Sequence, residues 1–404
     1  MLNDFTVDVK NKLRNMVCFA YEHSVFYRTL YQENGVDVYT CKIPDDLPIV
    51  TQKDLSLHAT EFKTDILLNR VCASSGSGEF PKLMFRSASD FEQSVKNQIQ
   101  LMKWSNICAG DRIGIVQPAG LWGYTDIVQE AAKQMQVMVV PFGGVDDYIV
   151  LNLINRLEIN VLDIAPSRLQ TLLNINEEKH ITDFQMKSIM CSGEILEDKF
   201  RNYVWEKYRI PIYNQYGSEE ADALGGEIKP GEQISLFTEN FVFEILDKNR
   251  RYVDDSGTGC LVLSSLYHKG TPLIRYELGD ICKILSKSEG KIQILGREKE
   301  FSIIYDSVKL YPYQINDVLK KFYIDDIIWQ CRLITLENNK TIAEVKICNK
   351  PIIEKENILM ELEKASIDIK TLCKNGVLIF KLITGTPILT GRGKRQYILD
   401  QRSR

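Results

Sequence analysis

Tyr216-Gly217-Ser218-Glu219-Glu220 is the stretch on which the reading of this chain turns, because of what stands on either side of it. Upstream lies a run of small residues, Ser74-Ser75-Gly76-Ser77-Gly78-Glu79-Phe80-Pro81-Lys82. Downstream come Arg275-Tyr276-Glu277-Leu278-Gly279-Asp280, then Gly296-Arg297-Glu298-Lys299, and near the end Gly391-Arg392-Gly393-Lys394-Arg395. Taken singly, each has a plain structural reading: a surface loop, a turn with two solvated carboxylates, a hairpin, a basic tail. Their order and separations carry the information.

The small-residue run has a physical reading of its own. Small side chains let a backbone approach a ligand closely, and successive N–H groups with serine hydroxyls form a concave anion site. No Gly-Lys-[Ser/Thr] follows at the spacing a Walker loop needs.

Composition points to a folded, soluble protein. A chain of 404 residues is long for a single core, so two or three subdomains are expected. Hydrophobic residues make up 44% and charged residues 26%, enough for a full interior and an ordinary surface. The net charge of −4 argues against a nucleic-acid-binding or membrane-binding surface. The first residues, with Asp4 and Asp8, lack the apolar run of a signal peptide, and no stretch is apolar enough to span a bilayer. Ten scattered cysteines with no Cys-x-x-Cys pair, and four histidines apart from them, read as reduced thiols in a cytoplasmic protein without a zinc site.

Apolar spacing predicts a helix over 9–34, with Leu13, Val17, Ala20 and Tyr21 on one face. From about 90 to 217, helices (91–104, 124–134, 167–173, 197–207) alternate with short apolar strands (112–116, 137–141, 161–164, 188–191, 211–213). That alternation means a parallel sheet covered on both faces. After Glu227 the pattern changes to strands at 234–237, 241–246, 260–264, 273–276, 281–285 and 291–295, joined by turns such as Asp254-Asp255-Ser256-Gly257. This predicts an antiparallel β subdomain. Beyond Arg297 a small α+β unit is expected, with helices at 313–322 and 352–367 and strands at 329–335, 343–348 and 376–382.

Together the motifs resemble the adenylate-forming ligases, and within them the phenylacetate–CoA ligase-like branch, over about residues 20 to 402. Phe26-Tyr27-Arg28 and Leu47-Pro48-Ile49-Val50-Thr51-Gln52-Lys53-Asp54-Leu55 are similar to that branch's entry phrases. The resemblance implies that Ser74, Ser75, Gly76, Ser77, Gly78 and Lys82 wrap ATP phosphates, with Gly78 and Glu79 replacing the usual threonine and glycine. It places Ser192-Gly193-Glu194 at the adenine edge, Tyr216 with Gly217 and Ser218 near adenine, and Glu220 on Mg2+, a hard cation that suits an anionic oxygen. Glu219 stands where a threonine normally meets the α-phosphate. Asp280 would accept from both ribose hydroxyls, Arg297 would contact ribose or phosphate, and Lys299 would be the hinge residue. Lys394 would neutralise charge at the adenylation transition state, and the glycines before it suit a loop that swings in and out. Trp122, Gly123, Tyr124 and Ala221 fall where the branch has its acyl pocket.

The expectation is therefore an α/β protein: a large N-terminal domain (1–295) with a parallel α/β sheet and an antiparallel β subdomain, a hinge at 296–299, and a small mobile α+β domain (300–404). The implied reaction adenylates a small carboxylic acid with ATP and Mg2+, then passes the acyl group to CoA or to the phosphopantetheine of a carrier protein. A non-thiol acceptor and a non-catalytic nucleotide-binding relative remain alternatives. The acid and the oligomeric state are not specified by the sequence.

Overall fold

The computed structural model describes residues 6–73, 82–297, 302–305, 308–323, 327–335, 340–388 and 397–402. The expected phosphate residues Ser74, Ser75, Gly76, Ser77 and Gly78, the hinge residue Lys299 and the lysine Lys394 lie outside the described residues. The chain divides into two compact units, Met1–Ile294 and Leu295–Arg404.

The first unit carries strands β1 (Arg70–Ala73), β2 (Leu83–Arg86), β3 (Arg112–Ile115), β4 (Met138–Pro141), β5 (Val161–Ile164), β6 (Ser188–Cys191), β7 (Ile212–Ser218), β8 (Asp222–Gly226), β9 (Ile234–Leu236), β10 (Phe241–Leu246), β11 (Thr258–Ser265), β12 (Tyr276–Ser286) and β13 (Lys291–Arg297). All but β1 and β2, which form their own hairpin, belong to one mixed sheet of order β10-β11-β12-β13-β9-β8-β7-β6-β5-β3-β4. β7 joins its two halves, pairing parallel with β6 and antiparallel with β8.

In the parallel half, alternation assigns successive residues to opposite faces. Leu162, Ile164, Ile189 and Cys191 pack in a core with Val150, Leu169 and Val204, from helices Asp147–Arg156, Pro166–Lys179 and Asp198–Tyr208. Val161, Met190, Ile113 and Ile115 pack in another with Val95 and Met102 of helix Ala88–Trp104 and Val128 of helix Tyr124–Gln134. Both faces are covered, as continuous apolar strands require.

Several local expectations are corrected. The helix expected over 9–34 is two, Val7–His23 and Val25–Glu33. Ser24 sits extended between them; its hydroxyl accepts from Tyr27 N–H and donates to the Glu61 carbonyl, so it ends one helix and caps the next. The strand expected at 211–213 runs on to Ser218, so the Tyr216 stretch is strand and hairpin tip. The strand expected at 281–285 begins earlier, as β12 from Tyr276, and of the strand expected at 273–276 only Tyr276 lies in it; Gly279 takes φ +77° where the register of β12 with β11 shifts.

Entry-segment residues brace this strand. The Tyr27 hydroxyl donates to the Pro272 carbonyl and accepts from Ile274 N–H. Val50 exchanges backbone hydrogen bonds with Arg275 and Glu277, and the Gln52 amide donates to the Leu278 carbonyl. Arg275 itself is buried and forked onto Glu244, at 2.9 and 3.1 Å.

In the second unit, β14 (Ser302–Tyr305) and β15 (Val308–Leu310) form a hairpin. β16 (Trp329–Thr335), β17 (Thr341–Ile347), β18 (Leu378–Thr384) and β19 (Ile398–Asp400) form a sheet of order β18-β17-β16-β19. Helices Pro312–Phe322, Lys355–Glu363 and Ile367–Lys374 accompany it, around a core that includes Ile315, Leu333, Val345, Leu362 and Leu378. The single helix expected at 352–367 is instead two, because Ser366 caps the start of the second. No helix among the described residues is long and apolar enough to cross a membrane.

Helix Ala88–Trp104 is fixed at its start by Asp90, which is fully buried. Its carboxylate closes a capping box with Ser87 and also accepts from the backbone N–H groups of Lys269 and Gly270, at 2.9 and 2.8 Å. Asp90→Ala strands buried donors on two segments, so it should lower unfolding free energy by about 2–4 kcal/mol. Urea melts of parent and variant measure the loss, and an unchanged midpoint would contradict it.

Candidate functional site

The candidate site is built on the β7–β8 hairpin. Its pairing shifts register between Tyr216 and Gly217, leaving Glu219, Glu220 and Ala221 at the tip. A Cβ on Gly217 would overlap the Asp222 carbonyl of the returning strand, which explains glycine after Tyr216. Asp222 takes a left-handed conformation, φ +58°, to start that strand, one that aspartate tolerates better than most residues.

Two cations meet this tip, Lys82 just before β2 and Arg86 at its end. Lys82, Met84 and Arg86 alternate onto the buried side of that short segment. The Lys82 ammonium pairs with the Glu220 carboxylate, and both side chains are buried. Tyr276 OH lies 3.3 Å from the same carboxylate oxygen, and the Gln52 amide oxygen 3.5 Å from the lysine. Arg86 donates to the Glu220 carbonyl at 2.6 Å and to the Asp222 carboxylate at 3.3 Å.

Asp222 is the centre of a buried network. Its carboxylate also accepts from Ser94 Oγ at 2.6 Å and lies 3.1 Å from His268 Nε2. Burial alone would raise its pKa; Arg86, His268 and Ser94 together hold it well below the usual carboxylate range. His268 is fully buried, and burial followed by the nearby Arg86 charge lowers its own pKa. Glu219 differs. Burial, with Asp222 nearby, pushes it up to about 7, although Gly123 N–H donates to it at 3.3 Å.

The expected nucleotide residues are partly gathered. Tyr216 OH donates to Asp280 Oδ2 at 2.6 Å, joining the hairpin to the register shift in β12. Ser192 follows β6 and accepts from the Gln117 amide at 3.2 Å; Gly193 has φ +81°. The Glu194 carboxylate accepts the Ser167 N–H at 3.0 Å, at the start of helix Pro166–Lys179, a local structural role. Arg297 ends β13 with its side chain exposed.

Of the expected acyl residues, Gly123 precedes helix Tyr124–Gln134, Trp122 is half-buried in the loop before it, and Ala221 is fully buried. A Cβ on Gly123 would overlap Cys72. Tyr124 OH lies 3.0 Å from Asp163 Oδ1 and 3.2 Å from Gln215 Oε1, either of which can accept its one proton. Burial pushes Asp163 up to about 7, and its other oxygen has no partner among the described residues. A lone aspartate in the apolar run Val161-Leu162-Asp163-Ile164 was the available sequence signal for it. Arg86 and His268 stand in no motif and had none.

For a divalent cation the donor chemistry fits: Glu220, with Glu219 beside it, supplies the one or two carboxylates Mg2+ takes when phosphates and water complete its shell. Lys82 balances the Glu220 charge in the ligand-free geometry.

In sequence the chain is 25% identical over 336 residues to phenylacetate-coenzyme A ligase of Aromatoleum evansii, covering 77% of this chain and 74% of that protein. The Thermus thermophilus enzyme of the same name is 26% identical over 335 residues, with the same coverage. Among solved structures, an open conformation of 2-hydroxyisobutyryl-CoA ligase in complex with 2-HIB-AMP and CoA superposes with a TM-score of 0.72. It covers 97% of this chain and 90% of its own at 17% identity, a likeness of fold. No protein-family model matches the sequence.

Two predictions follow from these buried charges. Lys82→Met leaves Glu220 an uncompensated buried carboxylate and should cost about 3 kcal/mol. Added Mg2+ should raise the melting temperature of the variant more than that of the parent, and equal shifts would remove Glu220 as a metal ligand. The folded state holds the protons of Asp163 and Glu219 more tightly than the unfolded chain does. Their contribution to stability is therefore full below about pH 4 and declines as pH rises to about 7. Asp163→Asn should accordingly narrow the gap between melting temperatures at pH 5 and pH 8, and a gap as wide as the parent's would contradict the assignment.

Proposed function

We propose, from the chain's place in the phenylacetate–CoA ligase-like branch of the adenylate-forming ligases, that it joins a small carboxylic acid to a thiol through an acyl-AMP intermediate. The observation that carries the reading is the Glu219–Asp222 hairpin tip held by Lys82 and Arg86, with Asp280 fixed by Tyr216 in the same unit.

In the first half-reaction the acid's carboxylate oxygen attacks the α-phosphorus of ATP, the P–O bond to pyrophosphate breaks, and acyl-AMP forms. Asp280 accepts from the ribose hydroxyls, Tyr216 packs near the base, and the Ser192–Glu194 loop borders its edge. Ser74–Gly78 and Lys82 receive the phosphates, with Arg297 at ribose or phosphate. Glu220 would hold Mg2+, which supplies charge neutralisation for the triphosphate. Lys394 bridges the attacking carboxylate and the α-phosphate. In the second half-reaction a thiolate attacks the acyl carbon and AMP leaves. A hinge at Lys299 that withdraws Lys394 separates the two steps.

CoA is the acceptor in the names of the relatives and is the first choice here; a carrier-protein phosphopantetheine has the same reacting thiol. Cytoplasmic action suits ten cysteines of which none forms a disulfide.

Pyrophosphate exchange into ATP across a panel of carboxylic acids tests the reading. Acid-dependent exchange supports it, and none with any acid defeats it. Lys394→Ala should lower exchange by roughly two to four orders of magnitude, since a transition-state charge donor is lost. Thioester formation from supplied acyl-AMP should survive. Exchange at the parent rate would move the role to Arg392 or Arg395.

A further inference from the structure

The Tyr124 phenol is a meeting point of several segments of the first unit. Its oxygen lies 3.0 Å from Asp163 Oδ1 on β5 and 3.2 Å from Gln215 Oε1 on β7, and the Ser192 hydroxyl, just after β6, is close by. Gln98 Nε2, from helix Ala88–Trp104, donates to the same Gln215 oxygen at 3.2 Å, and the Gln117 amide donates to Ser192. These segments lead to expected site residues. Gln215 precedes Tyr216, and Ser192 opens the loop at the adenine edge. Gly123, before the tyrosine, donates its N–H to Glu219 and lines a cavity of about 110 Å³ beside the hairpin tip.

The proton count at the phenol fixes the state of Asp163. A phenol has one proton to donate, yet a carboxyl oxygen and an amide oxygen both stand within hydrogen-bond distance of it. Gln215 Oε1 carries no proton, so the second contact needs one on the carboxyl: Asp163 donates to the phenol oxygen, and the phenol donates to Gln215. The surroundings agree. Asp163 is fully buried between Ile115 and Met190 of the neighbouring strands, no lysine or arginine among the described residues acts on it, and its second oxygen has no partner among them. An ionised carboxylate there would lack the partners that a buried charge requires. The titratable groups that face it are Tyr124 from the helix and Cys191 from β6, both held neutral by burial, which also lifts Asp163 itself to about 7.

Resting on the ligase reading above, we propose that Asp163 is a positioning residue for ATP binding, which as a neutral acid holds the Tyr124 phenol on Gln215 and beside Ser192. Loss of its proton to solvent turns the phenol O–H towards the carboxylate and leaves two bare oxygens, of Tyr124 and Gln215, facing each other 3.2 Å apart. The phenol then moves off Gln215, and the placement of Gly123 and of the Ser192 loop that depends on it is lost. ATP therefore binds the neutral form more tightly, and its affinity falls as pH rises and Asp163 ionises.

The test measures the dissociation constant of ATP, with Mg2+ present, by calorimetry between pH 7 and pH 8.5. For the parent it should rise about tenfold, as a one-proton titration starting from about pH 7 requires. Asp163→Asn keeps an N–H donor for the phenol and cannot ionise, so its dissociation constant should stay flat across that range. Glu219, whose pKa burial also raises, would leave the parent's slope in this variant. Tyr124→Phe serves as the second variant should Asp163→Asn fail to fold. It should weaken ATP binding about tenfold at pH 7 and hardly at pH 8.5, where the parent has already lost the arrangement. A purely structural role gives an equal loss at every pH and overturns the assignment. Parent binding that does not change with pH, or a slope that persists in Asp163→Asn, also overturns it while leaving the ligase reading intact. No ATP binding at any pH overturns the ligase reading as well.

Discussion

Two buried cations on one side of a short extended segment must each find an anion, and that requirement fixes the geometry around them. Lys82, just before β2, and Arg86, at its end, lie on its buried side and meet Glu220 and Asp222 at the tip of a hairpin more than 130 positions further along the chain. Neither pair tolerates loss of one member, because a single buried charge left behind costs several kcal/mol. The pairs therefore specify where the β1–β2 hairpin lies against the large sheet, to which it contributes no strand.

The hairpin tip is equally constrained from below. β7 is parallel to β6 on one side and antiparallel to β8 on the other, so it is the seam between two kinds of sheet. Gly217 permits the close return of β8, and the register shift leaves two glutamates and Ala221 at the end of a stiff support. Their environments then diverge. Glu220 is held against a lysine, whereas Glu219 sits among acids and a single N–H, and burial raises its pKa. Adjacent, chemically identical side chains are thus given different protonation behaviour by position alone.

A third brace comes from the entry segment. Tyr27, Val50 and Gln52 hydrogen-bond to the backbone of 272–278, and this carries Asp280 to Tyr216. Phrases separated by more than 200 residues behave as one structural element, which gives a packing reason for their joint presence in the sequence.

The sequence by itself determined the fold class and the reaction type. Alternating apolar runs and helical spacing are local signals, and the ordered motifs singled out Glu220, Tyr216 and Asp280, which the fold gathers in one unit. Breaks set by a single capping serine, Ser24 or Ser366, escaped a periodicity argument because apolar spacing continues across them. Tertiary structure alone decided the partners: that Arg86 meets Asp222, that His268 and Ser94 complete the network, and that Asp163 lies buried under Tyr124. Pairing across such distances depends on strand order and burial, and no local pattern encodes either. The cavity beside the hairpin tip belongs to the same class of fact, since a cavity is defined by the atoms that packing brings to its walls.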